Sequence, residues 1–266
     1  MRFNAQEAEI FDDRAGLSDA TVKDIVNGII DIVQPTPSTT LLEVGAGTGL
    51  IGSHLIGLPS KYIGFDYSEP MLEIFRSRIP SDAAEYTLTQ GDGEKTWPVA
   101  DGAVNAIFGS RVLHLLDVEH VASELFRVSA NTGATLMVGL VHRDNESPKN
   151  KMREQMRSLL ANRQKTSRDW KRLNAELFDN CRRRGAEILK TRLVSEWKTS
   201  YNPMQSIESW ENKEGLAGAS VSEEIKSKVL AELKEWANGY FDDMYQTIDF
   251  SETYHLHLLK LPGSAE

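Results

Sequence analysis

Residues 41–52 read Leu-Leu-Glu-Val-Gly-Ala-Gly-Thr-Gly-Leu-Ile-Gly, an apolar run that meets a cluster of glycines. Glycine lets the backbone turn tightly and lets a ligand approach with no Cβ in the way. A strand that enters such a loop and leaves it as a helix offers amide N–H groups and partial positive charge to a polar ligand. A second apolar run, Tyr62–Phe65, ends at Asp66, and a carboxylate there has two oxygens for the two hydroxyls of a ribose. Gly47-x-Gly49-x-x-Gly52 followed by Asp66 also fits the dinucleotide fingerprint. A nicotinamide cofactor therefore stays open on these residues alone.

The histidines are the candidate proton carriers. His114 follows a fourth apolar run and His142 a fifth, and imidazole has a suitable pKa for general base work. Each is a candidate catalytic residue, with a structural or positioning role as the alternative. His255 and His257 alternate on a last apolar stretch without a third ligand, so no metal site is expected. His54 and His120 fall on surface positions of helices. Cys181 sits on a helical stripe and reads as core, and a single cysteine leaves no internal disulfide framework.

The elements that position these residues alternate. Val22, Ile25, Val26, Ile29 and Val33 recur at helical spacing after a candidate cap at Ser18, and Pro35 ends that helix. Strands are expected at 39–44, 62–65, 85–88, 103–109 and 135–141, with helices over 50–58, 68–78 and 119–129 between them. Such alternation implies a parallel sheet with right-handed crossovers. Residues 149–185 read as one broken helix or two, 188–201 as a long extended segment, 222–238 as a helix capped by Ser222, and 254–261 as a final strand.

The chain has 266 residues with 40% hydrophobic and 26% charged, enough for a sizeable core and against wholesale disorder. No apolar run reaches the length of a membrane span, the first residues are too charged for a signal peptide, and a reducing cytoplasm is the expected compartment. The net charge of -9 disfavours nucleic acid and anionic membranes as partners. The charge is uneven. Residues 142–192 hold 15 Lys and Arg against 7 Asp and Glu, and the remainder holds 15 against 32. The bland explanation is a solvated helix face; the functional one is attraction of an anionic substrate or an acidic carrier.

Four motifs in order then resemble one family. They are Leu41–Gly49, the stretch Tyr62–Leu72 (YIGFDYSEPML), Gly91-Asp92-Gly93 with Trp97-Pro98 and Asp101-Gly102, and Val112–Asp117 with Glu124 and Arg127 beyond. Together they resemble class I S-adenosylmethionine-dependent methyltransferases, in the small-molecule branch with the ubiquinone-biosynthesis and trans-aconitate enzymes. The resemblance covers residues 11–141 and reaches 142–253 poorly. It implies a doubly wound, seven-stranded, mostly parallel α/β sheet with a helical cap insertion. The cofactor-binding core would be 1–144, the cap and acceptor-binding insertion 145–253 with the sixth strand at about 188–201, and the last strand 254–266.

The resemblance also assigns roles. Gly45, Gly47 and Gly49 would pass beneath the methionine and ribose of S-adenosylmethionine, and Glu43 would orient the loop or meet the amino group. Asp66 would take the ribose hydroxyls, Tyr67 and Met71 would line the adenine, and Asp92, followed by Gly93, would accept from its amino group. Ser110 and Arg111 would face the sulfonium, and Arg14, in Phe11–Ala15, would meet the methionine carboxylate unless it is a solvated surface charge. The implied reaction moves a methyl to an oxygen or nitrogen of a small molecule, leaving S-adenosylhomocysteine. Two alternatives stand beside it, an NAD(P)-dependent oxidoreductase and a cofactor-binding scaffold or regulatory subunit without turnover. Oligomeric state is not legible.

Overall fold

The computed structural model describes residues 8–9, 11–58, 61–83, 85–163, 170–213, 215–216 and 220–263; the side chains of Arg14, Trp170 and Lys171 lie outside the described residues. Two compact units form. The first comprises 1–141, 170–195 and 254–266, and the second 142–169 and 196–253.

The first unit is built on a parallel sheet. Strands β1 (Thr40–Val44), β2 (Lys61–Asp66), β3 (Tyr86–Gln90), β4 (Ala106–Ser110) and β5 (Thr135–Arg143) run in chain order, and β1 lies between β2 and β4. The pairs β1–β2, β2–β3, β1–β4 and β4–β5 are all parallel. Leu41, Leu42, Val44, Ile107, Phe108 and Leu136 are buried whichever way they point, as expected of strands covered on both faces. The chain moves outward from β1 to β3 and then returns to β4. That reversal puts a topological switch between β1 and β4, and ligands of such sheets bind at the strand carboxyl ends there.

The helices form where capping and periodicity place them. Helix α1 is Phe11–Ala15, and α2 is Asp19–Val33, which opens where the Ser18 side chain accepts the Thr21 amide. Helix α3 is Glu69–Ser77 with Pro70 in its first turn, and α4 is Val118–Val128, capped by Asp117 through the His120 amide. The expected helix over 50–58 is not there. Only a 3-10 turn, Gly52–His54, forms, because a few residues between Gly52 and a left-handed Gly57 are too few to propagate a helix.

The last part of the sheet also departs from expectation. Among the described residues the sheet has eight strands rather than seven: with β6 (Glu187–Ile188), β7 (Arg192–Tyr201) and β8 (Ile248–Lys260), the order is β3-β2-β1-β4-β5-β8-β6, and β7 pairs to β8 off that path. The stretch expected as one sixth strand is broken at 189–191 into β6 and β7, and both pair with β8. A thirteen-residue β8 is long enough for both, with Glu187 opposite Lys260 at its end.

Residues 149–185 become two helices, α5 (Pro148–Ala161) and α6 (Trp170–Arg183). Leu177 and Cys181 of α6 join the core of the first unit with Leu125 and Leu259. Burial pushes the Cys181 thiol up to about 11, which suits an inert core residue. In the second unit Met152, Met156 and Leu160 of α5 pack with Ile207 of α7 (Pro203–Glu211) and Val229 and Leu233 of α8 (Glu223–Tyr240).

Candidate functional site

The glycine loop leaves β1 and docks on the end of β2. The amides of Gly45 and Ala46 both donate to the Phe65 carbonyl at 3.0 Å, and Gly49 donates to Ala46 at 3.1 Å. Gly47 donates to Asp66 Oδ2 at 2.9 Å, while Asp66 Oδ1 accepts from Ser68 at 2.9 Å. Burial raises the Asp66 pKa, and the Ser68, Gly47 and Tyr67 amides pull it back down. The loop amides of these four residues are thus occupied by protein. Those four N–H groups are therefore not available to a pyrophosphate.

The three loop glycines do different things. A Cβ on Gly45 would meet Val112 Cγ2 at 2.5 Å, and one on Gly49 would meet Phe75 Cδ2 at 2.3 Å. Gly47, at φ +56°, faces open space, with nothing within 4 Å of where a Cβ would stand. Packing demands two of the glycines, and the third presents bare backbone to solvent beside the Asp66 carboxylate.

Glu43 lies beneath the loop. It is 3% exposed and accepts the Tyr62 hydroxyl. A Cβ on Gly52 would meet both of these oxygens, so the pair fills the space under the turn. Burial pushes the Glu43 pKa up to about 8, opposed by the Tyr62 hydrogen bond and reinforced by the Asp66 charge.

Beyond Asp66 a cavity of about 580 Å³ is lined by Tyr67, Gln90, Gly91, Asp92 and Lys95 among others. That volume is on the scale of a small-ligand pocket. Gln90 donates to the Tyr67 carbonyl at 3.2 Å, and Asp92 Oδ1 accepts the Glu94 amide at 3.0 Å. Met71 is 1% exposed and belongs to the core beside the cavity. Gly93 packs against Leu116, and its carbonyl accepts from the Trp97 indole at 3.2 Å.

Ser110 and Arg111 follow β4. The Ser110 hydroxyl is 2.6 Å from the Tyr254 hydroxyl, brought by β8. A Cβ on Gly139 would collide with that hydroxyl, so glycine in β5 admits the phenol. Arg111 holds φ +56°, a left-handed conformation that costs a non-glycine residue on the order of 1 kcal/mol. Its guanidinium donates to the Ala15 carbonyl at 3.1 Å, at the end of α1. Asp12 of α1 accepts the Thr48 hydroxyl at 2.6 Å and pairs with Arg78. These contacts tie α1 to the glycine loop. Asp12, Thr48, Arg78 and Tyr254 escaped the sequence reading, since nothing in their spacing marks partners 30 to 144 residues apart. Arg14 shares α1, but its side chain is not described. His114 sits on a 3-10 turn, Leu113–Leu115, after β4, and His142 lies at the end of β5 in the second unit. Among the described residues no cluster of three or more metal-binding side chains occurs.

Residues 42–137, which hold the loop, Asp66, Asp92 and Arg111, match the family model of a methyltransferase domain. Over those residues the chain is similar to a methyltransferase domain. The methyltransferase match also agrees at the level of fold with solved structures. The YcgJ protein of Bacillus subtilis aligns over 90% of this chain and 98% of its own, with a TM-score of 0.55 and 16% identity. The cyclase SpnF aligns over 90% of this chain and 81% of its own, with a TM-score of 0.52 and 16% identity. Among curated proteins, nocamycin O-methyltransferase of Saccharothrix syringae is 31% identical over 101 residues. That stretch is 35% of this chain and spans a third of the relative's length. A fold shared with a cyclase does not by itself name a reaction.

Proposed function

We propose that the chain binds S-adenosylmethionine in the first unit and transfers its methyl group to an oxygen or nitrogen of a small-molecule acceptor. The open face of Gly47 beside the Asp66 carboxylate carries this reading. A ligand lying against Gly47 would place its ribose at Asp66, whose two oxygens keep acceptor capacity beside their backbone hydrogen bonds. Tyr67 and Asp92, on the wall of the adjoining cavity, would hold the adenine and accept from its amino group. Glu43 supports the loop from below through Tyr62, the orienting one of its two expected roles. The amides of Gly45, Ala46, Gly47 and Gly49, already occupied, would not serve the phosphates of a nicotinamide dinucleotide.

The bound cofactor supplies an electrophilic methyl on a cationic sulfur. The chain's contribution is alignment and exclusion of water, with Arg111 fastening α1 beside the loop and Ser110 fixed by Tyr254. His114 would take a proton from an acceptor that arrives protonated. The nocamycin O-methyltransferase likeness supports a specialised metabolite and an oxygen acceptor. No described helix is long and apolar enough to cross a membrane.

Calorimetric titration with S-adenosylhomocysteine, beside NADH and NADPH, tests the cofactor. One-site binding of S-adenosylhomocysteine alone is expected; binding of a nicotinamide cofactor alone would overturn the reading. Methyl transfer from labelled cofactor to a panel of phenols, carboxylates and amines then separates an enzyme from a scaffold.

A further inference from the structure

The second unit concentrates cations that the glycine-loop site does not use. Lys149, Arg153 and Arg157 recur every four residues along α5 and therefore share one face of it. Arg143, at the end of β5, donates to Glu252 Oε1 at 2.6 Å, and Lys149 Nζ stands 3.6 Å from the same oxygen. Lys149 also lies 5.2 Å from the centre of the Tyr201 ring. Glu252, only 5% exposed, thus answers two of the four cations.

The other two are not answered. Among the described residues neither Arg153 nor Arg157 has a carboxylate within ion-pair distance, and the Arg157 Nε is buried without a hydrogen-bond partner. Burial and the charges of Arg143 and Arg157 push Arg153 down to about 10, against the opposing pull of Glu252 and Tyr201. Burial likewise lowers Lys149. Glu208, whose charge acts on Tyr201, is a further acid nearby. Four cations against Glu252 and Glu208 still leave an excess of two. A half-desolvated excess of like charge is costly, and an arriving anion relieves it. Guanidinium groups bind carboxylate and phosphate oxygens in paired, charge-assisted hydrogen bonds. The ring of Tyr201 beside Lys149 adds an apolar wall.

We propose that Arg143, Lys149, Arg153 and Arg157 form a binding site for an oxyanion, a carboxylate or phosphate group. The site lies within the second unit and goes beyond the methyl-transfer reading. Part of the basic run at 142–192 is then a binding device rather than a solvated face.

The test uses the full chain loaded with S-adenosylhomocysteine at low ionic strength, titrated with citrate in one arm and pyrophosphate in the other. Saturable one-site binding of one of them is expected, which also tells carboxylate from phosphate. Arg153→Gln and Arg157→Gln should each weaken it at least tenfold while leaving S-adenosylhomocysteine affinity unchanged. The exposed Arg182→Gln, in the first unit, should leave it unchanged. No saturable binding in either arm, equal binding by both α5 variants, or equal weakening by Arg182→Gln would overturn the site. Failure of S-adenosylhomocysteine to bind the folded protein would instead overturn the methyl-transfer reading, with the anion titrations then done on the unloaded chain.

Discussion

Asp66 and Gly47 fix one another: the carboxylate accepts the loop amide at 2.9 Å, and the loop in turn leaves the bare face of Gly47 turned outward beside it. One side chain therefore shapes the loop and lies beside its open face. Its second oxygen, committed to the Ser68 amide, sets the start of α3.

Asp66→Ala should weaken S-adenosylhomocysteine binding by at least tenfold, about 1.5–3 kcal/mol for a lost charge-assisted hydrogen bond. Asp66→Asn, which can still accept from Gly47, should keep the fold and lose less affinity. Calorimetric titration of both variants measures this, and unchanged affinity in Asp66→Ala would remove the ribose assignment.

Gly47→Ala and Gly49→Ala should fail in different ways. At Gly47 the left-handed backbone costs an L-residue about 1 kcal/mol, and the new methyl meets no protein atom, so the variant folds but loses the cofactor. At Gly49 the methyl runs into the Phe75 ring, so the variant loses stability first. Denaturation midpoints read beside binding separate the two; normal cofactor binding by Gly47→Ala would mean the ligand takes another path.

Stability should fall as pH rises from 5 to 8. Glu43 has its folded pKa raised to about 8 from 4.5, so in that window the folded protein keeps a proton that the unfolded chain has released. The slope is at most about 1.4 kcal/mol per pH unit from this group, and the contribution is complete below the unfolded pKa and gone above the folded one. Asp66, also raised, adds in the same direction. Urea midpoints measured across pH 5–8 should decline for the natural protein and decline less for Glu43→Gln; identical slopes would place the Glu43 pKa lower.

His114→Ala should lower turnover while leaving S-adenosylhomocysteine affinity in place. An equal rate on an acceptor that must lose a proton would take His114 out of the reaction, and a fall confined to binding would give it a structural role.

Much of the first unit was legible because its signals are local. Alternating apolar runs marked β1, β2, β4 and β5, and the cap at Ser18 sits where its side chain accepts the Thr21 amide; in the second unit Ser222 likewise accepts the Ile225 amide. The helix expected after the glycines was not there, since periodicity over 50–58 could not register that Gly52 must lie against Glu43 and Tyr62. The sixth strand broke in two because its partner is β8, some sixty residues later, and a pairing so distant leaves no mark in the pattern of 188–201. Arg127, quoted only as part of a motif, proves to bind Glu124, Asp101 and the Val99 and Trp97 carbonyls, a role that only folding assembles.

The sequence by itself determined where the strands and the glycine loop lie. A strand, three glycines and a following acid are close in the chain, and residue type and spacing mark the turn while leaving the choice of cofactor open. Tertiary structure decided what each residue does there. It assigned Gly45 and Gly49 to packing and Gly47 to the open face, put Glu43 under the loop, fastened α1 through Asp12 and Arg111, and gathered Arg143 and Lys149 around Glu252. Those outcomes depend on burial and on partners far apart in the chain. The energy of a charge or a missing Cβ is set by what surrounds it in space, which no local pattern records.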